Sequence, residues 1–137
     1  VKRTYIDSCV LIAAARLDNN NDICQKALNV LTSSDRYFVC SYYVKLEILT
    51  HAIRNKSNAE AKFYETFFDN VNEWVECNQA LLECAYNEML INNGLSGIDA
   101  IHVSAAIIGN VDELITAEKP EKPICKSKSV KVISLYI

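Results

Sequence analysis

Short apolar runs alternate along the chain with longer stretches in which apolar residues recur every three or four positions. The runs RTYIDS (3–8), YFVCS (37–41), NEWVEC (72–77), DELIT (112–116) and VKVISLY (130–136) have the length and the β-branched or aromatic content of buried strands. The stretches between them, at 9–17, 22–34, 41–55, 58–70, 79–94 and 96–110, carry helical periodicity. In the second, Ile23, Ala27, Val30 and Leu31 share a face. In the third, Tyr42, Leu46, Leu49 and Ile53 repeat at helical spacing and are expected to face the core. In the fifth, Leu82, Ala85, Met89 and Leu90 make a cleaner apolar stripe than Leu81, Ala85, Glu88 and Leu95. Punctuation agrees with these boundaries: NNND at 19–22 is a turn cluster and NKSN at 55–58 a break. Gly94 suits a left-handed helix stop, and Ser96 an N-cap.

Strands alternating with helices imply a parallel sheet covered on both faces. The expected fold is α/β, a three-layer α/β/α sandwich around a central parallel sheet of four to five strands. The length of 137 residues fits one domain, 1–137. Half of the residues are apolar, enough for a core, and 23% are charged, which argues against disorder. No apolar run approaches the ~18 residues needed to span a bilayer, so no membrane association and a cytoplasmic location are expected. The six cysteines, Cys9, Cys24, Cys40, Cys77, Cys84 and Cys125, lie far apart with no C-x-x-C pair. They read as reduced core residues rather than zinc ligands.

Four acids occupy informative positions. Asp7 ends the first strand, Glu47 lies two turns into the third helix, Asp99 opens the sixth helix, and Glu118 follows the strand ELIT. Each has an ordinary structural explanation. Asp7 suits a helix N-cap, although Ser8 caps equally well and would leave Asp7 free. A glutamate on a helix or in a turn is usually solvated. Asp99 makes a capping box with Ser96. Taken together, they gather at the carboxyl edge of the sheet, where α/β proteins place ligands. Carboxylates there without a cationic partner in the same motifs point to a hard divalent cation. Asp112 precedes its strand and belongs at the opposite edge. Thr116 offers a hydroxyl to the site or ends its strand. His102, one turn after Asp99, hydrogen-bonds Asp99, contacts a phosphate, or is simply a satisfied core histidine. No serine or cysteine triad is arranged, which disfavours acyl transfer. The net charge of −3 is not that of a generic nucleic-acid binder. An enzyme acting on nucleic acid stays open, because bound metal would offset clustered acids.

The segments ID-S-x-V-L near the start, S-x5-E, G-I-D-A-I-H-x-x-A-A and L-I-T-x-acid resemble, in order and over essentially the whole chain, the PIN domain. In size the chain is most similar to the toxin-type, VapC-like ribonucleases of type II toxin–antitoxin systems. The resemblance implies an endoribonuclease, a hydrolase of RNA phosphodiester bonds that depends on Mg2+ or Mn2+. Asp7, Glu47 and Asp99 match the three core acids, and Glu118 matches a fourth that is usually aspartate. Its extra methylene moves the carboxylate by about 1.5 Å. Ser8 and Ser41 match small hydroxyl residues of the family, and with Thr116 and His102 they are expected to support the ligands. Lys119 and Lys122, directly after Glu118, are the favoured RNA contacts, ahead of Lys45, Arg54, Lys126 and Lys128. The expected partners are an RNA substrate, an antitoxin protein and a second copy in a homodimer, with FYETFFDN (63–70) a candidate groove or dimer contact. The alternative is a PIN-fold partner-binding or regulatory module with weak or no nuclease activity.

Overall fold

The computed structural model describes residues 1–16 and 21–137. The turn cluster read at 19–22 therefore falls partly outside the described residues, as does Leu17 at the end of the expected first helix. Chain order is β1 (Lys2–Ile6), α1 (Ser8–Ala15), α2 (Asp22–Leu31), β2 (Arg36–Ser41), α3 (Tyr42–Arg54), α4 (Asn58–Asp69), β3 (Glu73–Val75), α5 (Gln79–Ile91), α6 (Gly97–Ile108), β4 (Glu113–Thr116) and β5 (Val132–Ser134). A short 3₁₀ turn, Pro123–Lys126, precedes β5.

The five strands form one parallel sheet in the order β3-β2-β1-β4-β5. The first two crossovers step from β1 through β2 to β3. The third crosses back over β2 and β1 to place β4 on the other side of β1. Because parallel crossovers are right-handed, this reversal sends α1–α4 to one face and α5 and α6 to the other. It also opens a crevice at the carboxyl ends of β1 and β4, where the strand order switches direction. Tyr5, Ile6, Val39, Leu114 and Ile115 are buried between the layers. Among the described residues no helix is long and apolar enough to cross a membrane.

Local chemistry explains the helix ends. Ser96 Oγ accepts from the Asp99 N–H at 3.1 Å, as its N-cap position predicts. Gly94 takes φ +87°, which a side chain would oppose. Gly109 ends α6 hard against the sheet. A Cβ there would stand 2.9 Å from Val39 Cγ1 and 3.1 Å from Val75 Cγ2.

Three expectations need correction. On α3 the core takes Val44, Ile48 and Ala52, while Tyr42, Leu46 and Ile53 are exposed. The helix carries two apolar stripes, and the one with the smaller side chains packs inward. On α5 the buried residues are Leu81, Ala85 and Glu88, with Leu95 beyond the helix, while Leu82, Met89 and Leu90 are exposed. Glu88 disguised that face. Its carboxylate accepts from Ser129 Oγ at 2.9 Å, which lets it sit inside. Cys77 is exposed rather than in the core, and all six cysteines are free.

Candidate functional site

Asp7 stands one residue past β1, almost fully buried, and its backbone N–H is held by the carbonyl of Ile115 in β4 at 3.1 Å. The aspartate, not Ser8, caps α1: Oδ1 accepts from the Ser8 N–H at 2.8 Å. Oδ2 accepts from Thr116 Oγ1 at 2.9 Å and from Cys9 Sγ at 3.3 Å. Capping and site placement thus coexist in one carboxylate, whose two oxygens face different elements.

His102 is fully buried in α6 and binds on both nitrogens. Nε2–H donates to Glu47 Oε1 at 2.5 Å and lies 3.8 Å from Asp7 Oδ1. Nδ1 meets the Tyr5 hydroxyl at 2.8 Å, and that hydroxyl meets Ser41 Oγ at 2.8 Å. The histidine therefore serves Glu47 and Tyr5, not Asp99. Burial by itself would lower its pKa. The hydrogen bond to Glu47 and the charges of Asp7, Glu47 and Asp99 outweigh that and hold it above 6.5.

Asp99, in the first turn of α6, is half-buried. Its carboxyl is held above its ordinary 3.8, first by burial and then by the negative charge of Asp7, with Glu118 adding to it and His102 opposing. Glu118 lies two residues past β4. Its N–H donates to Thr116 Oγ1 at 3.1 Å, and its carbonyl accepts from Ser134 Oγ at 2.6 Å. Asp7, Asp99 and Glu118 thus share one electrostatic neighbourhood in the crevice between β1 and β4.

The donor set is chemically suited to a hard divalent ion, being oxygen-rich and short of cationic compensation. Among the described residues, however, no three His, Cys, Asp or Glu side chains stand close enough to enclose an ion as they lie. Glu47 is turned on to His102 instead, so an ion would compete with the imidazole for Glu47 and Asp7.

No protein-family model and no curated protein sequence matches the chain. Solved structures do match. One is a chain from the crystal structure of VapBC2 from Rickettsia felis bound to a DNA fragment from their promoter. The TM-score is 0.70 at 12% identity, over 96% of this chain and 98% of that one. Another is a chain from a toxin–antitoxin complex from Klebsiella pneumoniae, with a TM-score of 0.72 at 17% identity, over 97% and 98%. The fold is PIN-like.

Within this PIN-like fold, the crevice holds two groups to which the sequence reading gave no site role: Tyr5, and Cys9, read there as a core cysteine. Tyr5 lies two residues before Asp7, and strand alternation already put both on one side of β1. Cys9 accepts from the Ala117 N–H at 3.2 Å and touches Thr116 at 3.3 Å, tying α1 to the turn after β4. Burial, then the charge of Asp7, pushes the Cys9 thiol up, so it is no nucleophile at neutral pH. Of the supporting residues, Thr116 touches Asp7 directly, and Ser41 reaches the site only through Tyr5. Ser8 contributes its backbone N–H. Lys119 and Lys122 are exposed beyond Glu118, with the Lys119 ammonium 6.0 Å from the Tyr136 ring. Lys45 lies over aromatic rings instead, 4.9 Å from the centroid of Tyr42 and 5.4 Å from that of Trp74.

Proposed function

We propose that the protein is a Mg2+- or Mn2+-dependent endoribonuclease that hydrolyses RNA phosphodiester bonds, and the toxin of a toxin–antitoxin pair. The observation that carries this reading is the placement of Asp7, Asp99 and Glu118 at the switch-point crevice, where burial and the charges of Asp7 and Glu118 raise the Asp99 carboxyl. With Glu47 they would hold the cation. When bound, it supplies Lewis acidity and a water of lowered pKa.

The chain's own residues prepare that site. Thr116, Cys9 and the Ser8 N–H fix both oxygens of Asp7, so the carboxylate meets an ion without reorganising. Glu47 and Asp7 favour the imidazolium form of His102, which donates Nε2–H between them and, once formed, offsets their charge while no ion is present. Tyr5 and Ser41 hold the imidazole from behind. Lys119 and Lys122 meet the phosphates of the RNA strand beside Glu118.

An antitoxin would seat an apolar helix in the groove between α2 and α4, about 580 Å³, lined by Leu28, Leu31, Phe38, Phe63 and Phe67. The two structural neighbours come from toxin–antitoxin complexes. Phe63 and Phe67 belong to the aromatic segment 63–70 singled out in the sequence. A homodimer is part of the same proposal.

Replacing Asp7 by Asn is the test. Asn keeps the acceptor that caps α1 but removes the charge, so the fold is expected to persist while Mn2+-dependent cleavage falls by at least about 100-fold, or ~2.7 kcal/mol of transition-state stabilisation. Undiminished cleavage by that variant sinks the assignment. One observation favours a second reading, a binding module without nuclease activity: the Glu47–His102 pairing takes a carboxylate that an ion would need. An ion that binds only the folded state raises its stability. Wild-type protein that gains no thermal stability from Mn2+ and cleaves no RNA would decide for the module.

A further inference from the structure

Resting on the RNA-cleaving reading above, we propose that Tyr42, Trp74 and Lys45 form a platform beside the acids that stacks an unpaired base of the substrate strand, Lys45 answering the adjoining phosphate. Tyr42 opens α3 immediately after Ser41, the last residue of β2. Trp74 pairs with Cys40 across the sheet in the edge strand β3. Both therefore sit at the carboxyl edge that carries Asp7, and β3 lies two strand spacings, roughly 10 Å, from β1. The platform is reached along the same edge by a strand passing the acids.

The rings are open yet backed. Tyr42 is 58% exposed and Trp74 38% exposed. Their centroids are 5.9 Å apart, and buried Phe68 supports Trp74 from 5.8 Å. The Lys45 ammonium lies 4.9, 5.4 and 5.6 Å from the centroids of Tyr42, Trp74 and Phe68. Among the described residues it has no carboxylate within 4.0 Å. A cation spread over exposed rings and free of an acid, in a chain of net charge −3, complements a phosphate and a base together. The exposed Leu46 and Ile53 continue along α3, and a second copy of the chain is the competing occupant. Unpaired RNA bases stack on aromatic rings, whereas the bases of a duplex are already stacked.

Trp74 is the only tryptophan of the chain and reports on the platform directly. Emission is followed while single-stranded oligoadenylate is titrated into wild-type protein in chelator, alongside an RNA duplex of equal length. Saturable quenching by the single strand and little by the duplex is expected. Tyr42→Leu should weaken the binding by about 5- to 150-fold. Lys45→Gln should flatten the salt dependence. Both positions are solvent-accessible, and circular dichroism confirms that each variant folds. Unchanged emission under RNA, while metal-dependent cleavage proceeds, overturns the platform and leaves the nuclease reading intact. Quenching without any cleavage supports the platform and removes the nuclease. Emission that shifts with protein concentration as the mass doubles, and not with RNA, gives the face to a second copy.

Discussion

Replacing His102 by Leu tests whether the imidazole stands in for a cation between Glu47 and Asp7. Leucine approximates the volume, so the cavity term is small. Three interactions change. The hydrogen bond to Glu47 is charge-assisted and worth ~1.5–3 kcal/mol when buried, but the Glu47 side chain is 31% exposed and rehydrates, so the lower end applies. Tyr5 keeps Ser41 as a partner, and that loss is about 0.5–1 kcal/mol. Asp7, with its side chain only 4% exposed, loses an imidazole 3.8 Å away whose protonated form its charge favours. Its three remaining donors, and the desolvation that leucine avoids, reduce that loss to about 1 kcal/mol. The metal-free variant should be less stable by ~2–4 kcal/mol in urea unfolding, with an unchanged m-value. Saturating Mn2+ supplies positive charge beside Glu47 and Asp7, so the gap to wild type should shrink by at least about 1 kcal/mol. An equal gap with and without Mn2+, in wild-type protein that Mn2+ does stabilise, refutes the reasoning and makes His102 a packing residue.

Three further outcomes are expected. In chelator, Asp99 and His102 both hold their protons more tightly when folded than when unfolded, so each contributes stability that is complete below its unfolded pKa and lost as pH rises through the folded one. The Asp99 share should therefore begin to be lost above pH 3.8 and the His102 share above pH 6.5, so the decline above pH 6.5 should be steeper in wild type than in His102→Leu, as read by urea midpoints across pH. Gly109→Ala should cost about 1–3 kcal/mol, because its methyl would press on buried Val39 and Val75; an unchanged thermal midpoint would contradict the close packing of α6 on the sheet. At neutral pH, iodoacetamide should label exposed Cys77 and spare Cys9 and Cys40, whose thiols burial pushes up; peptide mass mapping that finds Cys9 modified first would contradict the buried contact with Asp7.

Strand and helix positions were legible because apolar runs and helical periodicity are local signals, and all five strands appear where the pattern put them. Which face of a helix turns inward was not. On α3 two stripes compete, and only contact with α1, β2 and α4 chose Val44, Ile48 and Ala52. On α5 a buried glutamate broke the stripe, and its partner Ser129 lies 41 residues away, beyond the reach of any local pattern.

The same division runs through the site. From the sequence alone came the acids Asp7, Asp99 and Glu118 at strand ends and a helix start, since a strand followed by a helix places its junction at the carboxyl edge whatever the rest of the chain does. Only the tertiary structure decided what those acids touch. The reversal of strand order at β1 brought β4 beside it and so set Thr116 on Asp7. The crossing of α6 over the sheet inserted His102 between Asp7 and Glu47, residues separated from it by 95 and 55 positions, with Tyr5 and Ser41 behind it. Carboxylate positions follow from local chain direction. Their neutralisation depends on which distant elements arrive beside them, and that is fixed by packing.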